Sequence, residues 1–201
     1  ILARGKPVVL VGGTGLYVDA LIAGRSFAPY PQTGRREELT RIADEQGIEV
    51  LLERLREADP ESAARLHPSN RKRIIRALEV WLETGKTITQ HNLETQAQPP
   101  RYTPVWLGLN FPDRAQLYAR IDLRAKQMFD EGLAAEVQAL LASGVPDNAT
   151  SMQAIGYKEV VRALRGECSM DEALAEVQQS SRRYAKRQLT WFRRNEAVRW
   201  L

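Results

Sequence analysis

The chain has 201 residues, 43% hydrophobic and 27% charged, enough to bury one sizeable core plus a small satellite domain. No apolar run approaches a membrane span, and one cysteine, Cys168, excludes an internal disulfide and a cysteine metal cage. His67 and His91 are the only histidines, too few for a histidine-based metal site; with no signal peptide at the start, a reducing cytoplasmic setting without a membrane partner is expected. Net charge is +4, and residues 151–201 account for all of it, with ten Lys and Arg against six Asp and Glu. A basic end on a balanced body suggests a polyanion footprint.

The first organised stretch is Val8-Val9-Leu10-Val11, followed by Gly12-Gly13-Thr14-Gly15 and a helical pattern through Ala20, Leu21 and Ile22. It reads as a buried strand, a tight turn and a helix N-terminus, the layout of an α/β core. In an open α/β sheet, ligands bind outside the carboxyl ends of strands, and glycines let backbone approach them closely. The dinucleotide fingerprint G-x-G-x-x-G fails here, because Val18 stands where the last glycine belongs. A phosphate loop at Gly85-Lys86-Thr87 fails as well, since Val80 occupies the earlier glycine position. Gly85 reads instead as a helix C-cap.

Phe27 to Pro31 forms a proline-broken loop, and from Gly34 to Thr84 the pattern is helical. Helices are predicted over 35–46, ended by Gly47, and over 49–58; Asp59-Pro60 then caps a short third ending near His67-Pro68. Ser69 or Asn70 starts a fourth that reaches Thr84-Gly85, with Ile74, Ile75, Leu78, Trp81 and Leu82 as its buried stripe. Gln96 to Arg101 has linker composition. Residues 28–103 thus form an all-helical module inserted between two parts, 1–27 and 104–201, of an α/β body. A second strand is expected over Val105–Asn110 and a closing one over Val198–Leu201. Between them come a long helix capped by Asp113, a helix over 133–143, one that follows Ser151–Lys158, and a last one opened by the capping box Ser169…Glu172.

Three clusters carry chemistry. On the last helix, Arg182, Arg183, Lys186, Arg187, Arg193 and Arg194 fall within an arc of roughly 140° at 100° per residue, with Tyr184, Ala185, Trp191 and Phe192 expected to pack inward. Six like charges on one face call for an anion, phosphates being the obvious candidate; a merely solubilising face, the alternative, would usually mix in Glu at i±4, and after Glu176 there is none until Glu196. Arg120 and Arg124, at i, i+4 beside the stripe Leu117, Ile121 and Met128, either snorkel to water or clamp a diphosphate; spacing alone leaves both open. Lys72, Arg73 and Arg76 line the exposed face of the fourth helix near its N-terminus, which itself favours phosphate. His67 reads as a structural residue rather than a catalyst.

Together these stretches resemble the tRNA dimethylallyltransferase (tRNA isopentenyltransferase) family. The matching residues are Pro7 to Tyr17, Arg73 to Val80, Thr84 to Thr87, Arg120 to Arg124, Gln153 to Lys158 and Tyr184 to Arg193, in order across nearly the whole chain. The resemblance implies a P-loop-kinase-like α/β core, mostly helical by content, with a helical insertion that closes on a tRNA anticodon stem-loop. It implies transfer of a dimethylallyl group from dimethylallyl diphosphate to N6 of adenine 37. Gly12, Gly13, Thr14 and Gly15 would line the adenine pocket, and Arg124 with Arg120 would steady the leaving diphosphate. Contacts to tRNA would come from Arg36, from Lys72, Arg73, Ile74, Ile75 and Arg76, from Gln153, Ala154, Ile155, Gly156, Tyr157 and Lys158, and from Lys186, Arg187, Gln188 and Arg193.

One departure stands out. The family's phosphate loop, its Mg²⁺ ligand and the aspartate that serves as general base precede the glycine-rich turn, and nothing in residues 1–201 replaces them. The chain therefore reads as a C-terminal portion of an enzyme, monomeric, and inactive in prenyl transfer alone. An adenylate dimethylallyltransferase acting on free AMP, or a non-catalytic RNA-binding module on the same scaffold, are the competing readings.

Overall fold

The computed structural model describes residues 1–24, 33–97 and 99–201. The loop expected over 27–31 and the Gln98 position of the linker lie outside the described residues. The chain is mostly helical and divides into two compact units, one of residues 1–16 with 104–201 and one of residues 17–103, the first division falling inside helix α1 (Gly15–Ala23).

In the second unit, α2 (Arg35–Gln46), α3 (Ile48–Ala58), α4 (Pro60–Arg65), α5 (Arg71–Thr84) and α6 (Ile88–Gln96) follow one another through short connections. Local chemistry sets their ends. Asp59 accepts from the Ser62 amide at 3.1 Å, with Pro60 at the first helical position of α4. Gly85 closes α5 in the left-handed region at φ 69°, its amide donating to the Trp81 carbonyl, so the Gly-Lys-Thr stretch is a cap. Thr87 and Gln90 then form a reciprocal capping box that opens α6, a helix absent from the sequence expectation. His67 caps the turn Pro68–Asn70 through Nδ1, which is the structural role expected of it.

The core of this unit gathers Leu39, Ile42, Leu51, Leu55, Ile74 and Leu78 from α2, α3 and α5. Ile74, Ile75 and Leu78 are buried as the helical period predicts, but Leu82 is not: it is 42% exposed, and Ala77 and Val80 take the buried positions instead. Antiparallel pairing of α2 with α5 is fixed by polar links whose partners advance in opposite directions, Thr33 to Glu83, Arg36 to Glu79 and Asp44 to Arg71.

In the first unit, α7 (Arg114–Asp130), α8 (Leu133–Ala142) and α9 (Tyr157–Leu164) pack around Leu133, Val137, Met152, Val160 and Val161, and α10 (Met170–Phe192) lies against α7 and α9 with Ala173 and Val177 buried. Asp113 caps α7 and the Ser169–Glu172 box opens α10, both at the expected residues. On α7 the fully buried position is Ala125, while Leu117, Ile121 and Met128 are only half-buried.

The sheet is smaller than expected. Strands β1 (Leu107–Gly108) and β2 (Arg199–Trp200) pair in parallel, Leu107 with Arg199 and Gly108 with Trp200. The expected buried strand over Val8–Val11 is not formed: Val9 is 79% and Val11 89% exposed. A strand exists only through a ladder, and among the described residues nothing pairs with 8–11. Its apolar run matched a central strand in composition, but composition cannot supply the neighbour.

Candidate functional site: a glycine turn on a basic helix

The glycine turn lies against the middle of α10. Thr14 Oγ1 is 3.5 Å from Tyr184 Oη, Gly13 abuts the Gln188 amide, and Gly15 meets the Trp191 indole. Tyr184, Gln188 and Trp191 are spaced i, i+4, i+7, one stripe of the helix. A Cβ at either glycine would overlap its neighbour, so absence of a side chain is what permits the seating. Gly12 has nothing within 4 Å of its Cβ position, leaving that side of the turn open. Tyr184 and Trp191, expected to pack inward, remain 38% and 40% exposed, because they flank the turn rather than enter a core. Phe192 does pack, its ring 6.3 Å from that of Trp106.

The cations of α10 are not equivalent. Arg182 is ion-paired with Asp122 of α7, and Gln178 donates to the Asp122 carbonyl at 3.1 Å, so this member of the expected six is a clasp between α10 and α7. Arg183, Lys186, Arg187, Arg193 and Arg194 are exposed and have no carboxylate partner among the described residues. Arg187 stacks over Tyr184 at 5.5 Å. At about 100° per residue, Arg183, Arg187 and Arg194 border the glycine-facing stripe, while Lys186 and Arg193 point to the reverse side.

Arg120 and Arg124 stand exposed on α7. Arg120 lies over the Phe111 ring at 5.6 Å, and no hydrogen bond or ring contact ties either arginine to the 12–15 turn among the described residues. The segment Gln153–Lys158 forms the entry to α9. Buried Glu159 accepts from the Gly156 amide at 2.8 Å, Tyr157 donates to Glu136, and Gln153 donates to the Asp147 carbonyl. The hydrogen bond to Glu136 raises the Tyr157 phenol above its ordinary range. Ala154 and Lys158 are exposed, and Ile155 is half-buried.

In the second unit, Arg36 and Arg76 converge on one oxygen of Glu79, at 2.8 and 2.6 Å. Burial pushes the Glu79 carboxyl up, but hydrogen bonds from Arg36 and Arg76 outweigh it and hold the group below the usual carboxylate range. Lys72 and Arg73 are exposed beside them, whereas Ile74 and Ile75 face the core and can support an RNA contact only by positioning these neighbours. The Glu79 bridge joins residues 43 apart and had no signal in the sequence.

Among the described residues no group of three or more His, Cys, Asp or Glu converges as a metal ion would require.

The sequence model of the IPP transferase family matches residues 1–195. The chain is similar to the tRNA dimethylallyltransferase of Geobacter sulfurreducens, 47% identical over 201 residues, and to that of Bacillus cytotoxicus at 45%, covering all of this chain in both cases. It spans 64% and 63% of the length of these curated relatives. Among solved structures it is similar to a tRNA isopentenylpyrophosphate transferase of Bacillus halodurans, with a TM-score of 0.63 and 40% identity over the whole chain and 61% of that one. A eukaryotic dimethylallyltransferase acting on tRNA gives a TM-score of 0.69 at 25% identity, over 96% of this chain and 48% of that one. The chain belongs to the IPP transferase family.

Proposed function

We propose that this chain is the tRNA- and diphosphate-handling portion of a tRNA dimethylallyltransferase, built as a P-loop-kinase-like core (1–27 and 104–201) with a helical insertion (28–103). The observation that carries the reading is the seating of the Gly12–Gly15 turn on the stripe of α10 bordered by Arg183, Arg187 and Arg194. Backbone bare of side chains then lies beside a row of cations, as a site for one nucleobase held by its flanking phosphates requires.

In this reading adenine 37 leaves its stack and rests beside Thr14, whose hydroxyl orients it. The N6 lone pair forms a bond to C1 of the dimethylallyl group while the C1–O bond breaks, and its electron pair departs with diphosphate. Arg124, with Arg120, takes up the charge that develops there. The N6 proton passes to the aspartate base that the family resemblance implies, which has no counterpart in residues 1–201. Arg36, the segments 72–76 and 153–158, and Lys186, Arg187, Gln188 and Arg193 hold the anticodon stem-loop. The protein works as a monomer.

Incubating residues 1–201 with labelled dimethylallyl diphosphate and either an anticodon stem-loop or AMP tests this. Binding of the stem-loop without transfer is expected. Transfer to AMP would favour the adenylate enzyme, and absence of stem-loop binding would remove the reading.

A further inference from the structure

Arg36 of α2 and Arg76 of α5 are repelling cations on two helices, brought to a single carboxylate oxygen between them. The Glu79 side chain is 13% exposed, whereas those of Arg36 and Arg76 are 56% and 38% exposed. The carboxylate therefore lies beneath the pair and the guanidinium groups above it. Two guanidinium groups thus share one carboxylate oxygen, and exposed Lys72 and Arg73 lie one turn away on α5. An arginine fork loses less entropy per hydrogen bond when its plane is already held, and a shared carboxylate holds two planes at once.

We propose that Glu79 is a positioning residue that sets Arg36 and Arg76 as a rigid arginine pair for the RNA backbone. It touches no RNA itself and acts through the two guanidinium groups. This rests on the reading of Arg36 and Arg76 as RNA contacts. The opposing possibility is plain neutralisation, in which the carboxylate only weakens attraction for phosphate, and the two predict opposite signs.

Two variants of the full chain separate them, read by binding of a synthetic anticodon stem-loop across a salt series. Glu79→Asp keeps the charge but is one methylene too short to reach both arginines. It should weaken binding about threefold to tenfold, the cost of re-ordering one or two arginine side chains at an interface. Glu79→Gln keeps the length and an acceptor oxygen and should rescue binding to within about twofold of the parent chain. Repeated in a chain carrying Arg36→Ala and Arg76→Ala, Glu79→Asp should change nothing. Glu79→Asp binding like the parent, Glu79→Gln binding more tightly than the parent, or an equal loss in the arginine-less background each overturns the proposal. If the chain with both arginines removed binds RNA as the parent does, the RNA reading of this seam fails first, and the role of Glu79 falls with it.

Discussion

Gly15 meets the Trp191 indole with no room for even one methyl group between them. The contact ties the start of α1 to α10 across 176 positions of sequence. Because the overlap reaches Cγ, at the root of the Trp191 side chain, and not only its far end, Gly15→Ala should cost about 1–3 kcal/mol by overpacking, despite alanine's better helix propensity. Gly13 faces only the end of a flexible glutamine, so Gly13→Ala should cost less, under about 1 kcal/mol. Urea unfolding midpoints of the two variants check the order; equal losses would refute the packing argument.

Asp59 predicts a pH dependence. It is 3% exposed and accepts from the Ser62 amide and from the Thr89 amide and hydroxyl, at 3.1, 3.1 and 2.7 Å. Burial raises its carboxyl, but the hydrogen bonds from Thr89 and Ser62 win, so the folded value lies below the ordinary one. A depressed folded value means the contribution is complete above the unfolded carboxylate range, about pH 4, and fades as pH falls through the folded value. Asp59→Asn should cost about 1–2 kcal/mol at neutral pH, as a weakened cap and a buried donor left short. The gap to the parent should narrow on acidification below about pH 4. A gap that stays constant from pH 7 to pH 2 would show that Asp59 contributes through shape alone.

What the sequence made legible and what it hid divide along the distance between partners. Caps join residues two to four apart, so Asp59, Gly85, Asp113 and Ser169 announce helix ends that the structure places at the same residues. The Thr87–Gln90 box is equally local and marks α6, but its Thr87 also completes Gly85-Lys86-Thr87, whose likeness to the end of a phosphate loop masks the cap. The run Val8–Val11 misleads for the opposite reason: whether it is a strand depends on a ladder partner, which no local pattern encodes. Of the site, cation spacing and bare glycines were visible. The Asp122–Arg182 clasp and the Glu79 bridge were not, because each unites side chains 60 or 43 positions apart.

Leu78 and Leu82 stand one turn apart on α5, and periodicity assigned both to the core. Leu78 is 1% exposed and Leu82 42%. Leu78→Ala should therefore cost about 2–5 kcal/mol, the transfer term plus a cavity, while Leu82→Ala should stay within about 1 kcal/mol. Thermal unfolding of both variants decides it; comparable losses would mean that Leu82 is covered in the working molecule.

The division of labour on α10 gives the last test. Arg182 spends its charge on Asp122, with both side chains about a third exposed, so a double-mutant cycle on the pair should return no more than about 1 kcal/mol of coupling. Arg182→Ala should leave the salt dependence of stem-loop binding unchanged, since that guanidinium has no phosphate to release ions from. Arg187, exposed beside the glycine-facing stripe, should behave differently: Arg187→Ala should weaken binding and lower the slope of log affinity against log salt by about one. Arg124→Ala, in a longer relative that turns over, should depress transfer with little change in stem-loop affinity, because its charge is assigned to diphosphate. Equal slopes for Arg182→Ala and Arg187→Ala would mean that the basic face of α10 serves only to keep the helix in water.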